Sequence, residues 1–101
     1  MIDRQLPPGA ARTGASSEFD CDNVPAALLA DHRTAAGVYG RVAVVAGELD
    51  FVFAQDAERP LRLRAGDELV VRPEEAHRVI PGEGMRFFIE FYRVGEHGSV
   101  Q

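Results

Sequence analysis

Lysine and tryptophan are absent from this sequence, cysteine occurs once, and no apolar run approaches the roughly 20 residues of a membrane-spanning helix. The lone Cys21 excludes an intrachain disulfide, and a thiolate metal cluster would need a second chain. Cys21 therefore reads as a structural or incidental residue. All 11 basic residues are arginines, set against 16 carboxylates, and the net charge is −5. Such a chain repels a phosphate backbone at long range, and no basic stripe with interleaved aromatics offsets this, so no nucleic-acid partner is expected. The start, Met1 to Arg4, leads into Pro7-Pro8-Gly9 rather than into an apolar stretch. No secretory signal is read there, no membrane partner is expected, and the expected location is cytoplasmic.

What is present is ordinary globular usage: 101 residues, 46% hydrophobic and 27% charged, enough for one domain with a modest core. Residues 1–23 are rich in Pro, Gly, Ala, Ser and Arg with neither a strand nor a helix period, and are expected to form a flexible arm. The domain is expected over residues 24–94, followed by a flexible tail, 95–101, in which His97 is solvent-exposed. Ala26 to His32 reads as a first strand and the β-branched run Val38 to Val45 as a second. Ala46-Gly47-Glu48 then reads as the tight turn of a hairpin onto Leu49 to Phe53, whose alternation buries one face. Leu61-Arg62-Leu63-Arg64 alternates likewise, Ala65-Gly66-Asp67 turns into Leu69-Val70-Val71, a short strand surrounds His77 to Ile80, and Met85 to Val94 makes the last long strand. Short strands with Gly or Pro at nearly every corner, and no amphipathic helix, argue an all-β sandwich or barrel. Because most strands are neighbours in sequence, its pairing is expected to be mainly antiparallel.

The most specific local feature runs from Gly66-Asp67 through Pro73 to His77, with the His eleven residues after the Gly. It resembles the second cupin motif, in which a Gly-Asp turn opens a strand and the His points into a barrel as a metal ligand. Pro73 stands one position late, and the Gly that follows the Pro in that motif is missing. The first cupin motif, a His-x-His pair and a Glu ahead of a Gly-Glu turn, is not assembled here: Gly40 occupies the Glu position and only His32 lies nearby.

Across residues 24 to 94 the chain resembles the small cupin-like domain that occurs alone in some bacterial proteins and, in TehB-type tellurite-resistance proteins, ahead of a methyltransferase domain (TehB/YeaR-like). The stretches that carry this are Pro25 to His32 with His32-Arg33-Thr34, Gly37 to Arg41, Gly47 to Phe51, Pro73 to Val79, and Phe91-Tyr92. Ala76 replaces the aromatic that the family usually shows before the His. The resemblance implies a small antiparallel cupin-type barrel (double-stranded β-helix) and a role in tellurite or related stress response. It implies nothing of methyltransferase activity for these residues.

The resemblance and the bare chemistry select the same pair, His32 and His77, since neutral imidazole is the commonest ligand for Zn, Fe, Ni and Cu. Glu90 is the expected third ligand: Phe88-Ile89-Glu90-Phe91-Tyr92 sets a carboxylate inside an apolar strand, where an unpaired charge costs several kcal/mol. If Pro81 to Gly84 is a hairpin loop, Ile80 pairs with Met85, His77 lies opposite Phe88, and Glu90 shares its face. A one-residue slip would part them. Arg86 shares the face of Glu90 and is the alternative, an ion-pair partner for it in place of a metal. Glu75 is a secondary ligand candidate. Tyr39, Tyr92, Arg41 and Arg86 are candidate ligand-binding residues, the arginines as clamps for an anion. Phe51, Phe53, Phe87 and Phe91 are assigned to the core. Two imidazoles and a carboxylate suit a divalent ion, Zn or Fe first and Ni next. The expected function is metal and small-ligand binding. The alternatives are a metal-dependent oxygenase or isomerase, and a metal-free dimeric accessory module. A homodimer is the expected assembly.

Overall fold

The computed structural model describes residues 4–94. Eight strands follow one another: β1 (Ala10–Ala15), β2 (Phe19–Asp20), β3 (Tyr39–Ala46), β4 (Glu48–Phe53), β5 (Leu61–Arg64), β6 (Glu68–Val71), β7 (His77–Pro81) and β8 (Arg86–Val94). Two 3-10 turns, Ala26–Leu29 and Ala54–Asp56, are the helical elements among the described residues, and no helix there is long and apolar enough to cross a membrane.

The strands form two sheets. One has the order β1-β8-β3-β6, with β2 also on β8; the other has the order β5-β4-β7. Every pairing is antiparallel. Alternation sends Val42, Val44, Leu69, Phe87 and Ile89 from the first sheet and Leu49, Phe51, Leu63 and Val79 from the second into a shared buried core. Phe51, Phe53 and Phe87 are core residues as expected, and Phe91 packs against the core half-buried.

The all-β antiparallel architecture agrees with the sequence, but its connections do not. Only β4 and β5 are both consecutive and paired. Gly47, at φ +64, does not close a hairpin: β3 lies in one sheet and β4 in the other, so the turn carries the chain across the core. Gly66, between β5 and β6, and residues 82–85, between β7 and β8, do the same. The antiparallel pairing comes from distant partners, as in β3 with β8 and β4 with β7.

Two further expectations are corrected. Ala26–Leu29 is a 3-10 turn, not a strand. Pro25 precedes two Ala and two Leu, good helix formers without strand alternation, and Leu28 alone needs burial. The leader is also not a free arm in its second half: β1 covers the edge of β8, with a bulge between Arg12 and Gly14, and β2 extends the cover. A nine-residue β8 would otherwise offer a long row of unpaired backbone groups. The expected tail, with His97, lies outside the described residues.

Candidate functional site

His77 opens β7, and its backbone is tied to His32, which follows the first 3-10 turn. His32 N donates to His77 O and His77 N donates to His32 O, each at 2.9 Å. This reciprocal bridge ties the segment after the first 3-10 turn to β7 of the second sheet. It fixes both Cα positions and brings the rings together, with His32 Nδ1 lying 3.2 Å from His77 Nε2.

The other side of the His77 ring is equally constrained. Its Nδ1 lies 2.8 Å from the Glu75 carbonyl oxygen, so Nδ1 carries the hydrogen and donates it, and Nε2 is left as an acceptor, to which His32 Nδ1 donates at 3.2 Å. Phe51 meets the ring edge-on, at 5.1 Å between centroids and 87° between planes. Burial pushes His77 below the ordinary histidine pKa, against the Glu75 carbonyl, which favours the charged form, and with the neighbouring charge of His32. His77 is 5% exposed, so its imidazole is a neutral donor at neutral pH.

Both rings open onto a cavity of about 190 Å³ between the sheets. Its walls are largely apolar, with Leu28, Phe51, Ile89 and Phe91 prominent. The two hydroxyls in the lining have spent their hydrogens: Thr34 Oγ1 donates to Val38 O at 2.8 Å, and Ser16 Oγ donates to Ser17 O at 2.8 Å while accepting from Ile89 N at 3.0 Å. The imidazole pair is thus the main polar feature that a cavity ligand meets.

Glu90 does not join this pair. On β8, Phe87 and Ile89 point inward and Glu90 points to the outer face. There its carboxylate accepts from Arg41, with Nε at 3.0 Å, from Arg12 Nε at 3.1 Å and from Tyr92 Oη at 3.3 Å. The hydrogen bonds from Arg41 hold its pKa below the ordinary glutamate value, outweighing partial burial. The expected register fails because Ile80 pairs with Asp50 on β4, while Glu90 pairs with Arg41 on β3. Glu90 is ion-paired, as the alternative reading had it, but Arg86 is not the partner; Arg86 bonds Glu18.

Tyr39, Arg41 and Tyr92 share that outer face, with the Arg41 guanidinium 5.6 Å from the Tyr92 ring centre, and neither they nor Arg86 line the cavity. Glu75 turns its carboxylate away from His77 towards Arg4, and only its carbonyl reaches the ring. Among the described residues no group of three His, Cys, Asp or Glu side chains is placed to hold an ion. The pair nevertheless fits two corners of a metal site: nitrogens each ~2.0 Å from a tetrahedral ion are about 3.3 Å apart. The remaining positions would have to come from outside the described side chains. Sequence reasoning missed the cavity walls, since Phe51 or Ile89 carries no signal that separates a cavity lining from a filled core.

Residues 15–89 match the TehB-like domain. No curated protein matches the chain by sequence. In structure it is similar to a protein of Escherichia coli K12, with a TM-score of 0.83 and 22% identity over 93% of this chain and 100% of that one. It is also similar to TehB from Haemophilus influenzae, with a TM-score of 0.79 and 21% identity over 89% of this chain but 33% of that one, so it spans about a third of TehB. An RmlC-like cupin protein from Desulfovibrio desulfuricans aligns at a TM-score of 0.54 and 20% identity, over 81% of this chain and 66% of that one.

Proposed function

Since this chain belongs to the TehB-like domain family, we propose that its cupin-like fold serves to bind a small ligand in the inter-sheet cavity, anchored by His32 and His77 through a divalent metal ion. The observation that carries this is the 3.2 Å approach of two ring nitrogens in the wall of an otherwise apolar cavity. Zn or Fe is the first choice of ion and Ni the next, because imidazole suits all three. The ion would supply Lewis acidity and open coordination positions; the chain's own part is to hold His77 neutral with Nε2 unprotonated. Phe51, Ile89 and Phe91 select an apolar body for the ligand.

A link to tellurite or a related stress depends on that ion. No arginine lines the cavity, so an oxyanion would find its charge met only by a bound cation. Binding is better supported than oxygenase or isomerase chemistry, because among the described residues the cavity lining holds no carboxylate to act beside the imidazoles. A second reading has its own observation, the lack of a third protein ligand among the described residues. There the imidazole pair hydrogen-bonds an apolar ligand directly, without metal.

Metal content by mass spectrometry on tag-free protein separates these readings. Near-stoichiometric metal is expected in the wild type and in Glu90→Ala, with loss in His32→Ala and His77→Ala. Wild-type protein that is metal-free and cannot be reloaded overturns the metal reading and leaves direct ligand binding.

A further inference from the structure

The geometry points to Arg4 as a positioning residue for His77: by gripping the Glu75 carboxylate, Arg4 fixes the carbonyl that decides which His77 nitrogen carries the hydrogen. This rests on the proposal that His77 Nε2 is the working atom of the site.

The link begins in the backbone of the loop before β7. Glu74 sits at φ +60, the left-handed region that a non-glycine residue enters at a cost of roughly 1–2 kcal/mol. It stands directly after Pro73, where the cupin motif has its glycine. A loop held in that shape needs restraints from outside, and Glu75 supplies the attachment. Its side chain is only 7% exposed. Oε1 accepts from Arg72 N at 3.0 Å and from the Arg4 guanidinium, and Oε2 accepts from Gln55 Nε2 at 3.3 Å. Of these partners Arg4 alone brings a close full charge, for Arg72 Nη1 stands off at 3.9 Å.

Arg4 is itself held for this task. It reaches the loop from 71 residues away in sequence, and its guanidinium carbon lies 4.1 Å from the centre of the Phe53 ring. Phe53 is the register partner of His77 across β4 and β7. The buried Arg4 Nε has no hydrogen-bond partner among the described residues, a cost its own satisfaction would not select. One peptide unit then carries the restraint onward: the Glu75 carbonyl accepts His77 Nδ1–H at 2.8 Å. Without Arg4 the mostly buried carboxylate loses its counter-charge and turns towards water, taking its peptide with it. His77 Nδ1–H then loses its acceptor, and the ring reverts to the Nε2–H tautomer that free imidazole side chains prefer, which removes the lone pair from the cavity.

The test uses chelator-treated full-length protein and two-bond nitrogen–proton NMR of the imidazoles, at one pH above the histidine range. Arg4→Met keeps an apolar contact on Phe53 and removes the charge; Arg4→Lys restores a charge; Arg62→Ala, which breaks the exposed pair with Asp50, controls for general loosening. The expected result is an Nδ1–H tautomer at His77 in wild type, Arg4→Lys and Arg62→Ala, and a shift towards Nε2–H in Arg4→Met. Folding is checked by the backbone amide spectrum, and Gln replacing Arg4 serves if the Met variant does not fold. An unchanged His77 tautomer in a folded Arg4→Met protein overturns the inference, even if its melting point falls. Zinc chloride titration of the same proteins tests the site separately: a roughly 10-fold weakening in Arg4→Met is expected. A wild type that takes up no zinc counts against the metal reading and leaves the tautomer result to decide the role of Arg4.

Discussion

At the scale of single residues, two side chains selected together separate in the structure, and the reason is register. His32 and His77 meet because a backbone bridge joins them directly. Glu90 needed a particular pairing of β7 with β8, and those strands lie in different sheets. The apolar surroundings of Glu90 were legible, whereas the arginines that neutralise it come from β1 and β3, positions 12 and 41, and no local pattern ties them to it. Its role is therefore electrostatic stabilisation of the outer face, with a definite pH signature. Glu90 has a lowered pKa in the folded state, so between that value and the ordinary value of about 4.3 the unfolded chain binds more protons. Stability from this group is complete above that window and is lost as pH falls through it. Glu90→Gln is expected to lower stability at neutral pH by about 0.5–1 kcal/mol and to flatten the acid side of the profile. Urea unfolding across an acid pH series reads both. An unchanged acid limb would mean that the arginine contacts add nothing beyond shape.

At the scale of elements, the sequence located strands better than it paired them. Alternation in Leu49 to Phe53 and Leu61 to Arg64, and the β-branched run ending at Val45, mark β3, β4 and β5 closely. Local signals encode the geometry of a corner and not what the next strand will bond to, so Gly47 looked like a hairpin turn. β1 was invisible for a related reason: Ala-Ala-Arg-Thr-Gly-Ala has no apolar face of its own and is a strand because β8 offers an edge. The crossing at Gly47 is testable. Its φ of +64 is strained for any side chain, and an added Cβ would run into the backbone of Glu83 and Gly84, which cannot yield as a flexible side chain would. Gly47→Ala is expected to cost more than 2 kcal/mol, roughly, because two strained features coincide. Equilibrium unfolding checks this, and a loss below about 0.5 kcal/mol would show that the crossover can shift freely.

At the scale of the whole molecule, the cavity sets stability against function. A domain this small is held by one modest core, yet about 190 Å³ between the sheets is left unfilled beside the two imidazoles. Gly40, on β3, lines that space with an ordinary strand φ, so its lack of a side chain is not demanded by the backbone. A Cβ there would meet Ile89 Cγ2 at 3.4 Å, and Thr34 Cγ2 and Val71 Cβ at 3.9 Å, all ordinary contacts. Gly40→Ala removes unfolded-chain entropy and adds buried apolar surface, so it is expected to stabilise the fold by about 0.5–1 kcal/mol. At this chain length that raises the melting temperature by roughly 2–8 °C. The same methyl narrows the cavity next to Ile89. If the space is a ligand site, uptake of benzene, followed by the Ile89 methyl resonance, is expected to weaken in the variant while the melting point rises. Opposite movement of the two readouts is the signature of a cavity kept open at the expense of stability. A gain in stability with unchanged benzene uptake would locate the binding volume away from β3, towards Leu28 and Phe51, and an absence of uptake in both proteins would count against the cavity as an apolar ligand site.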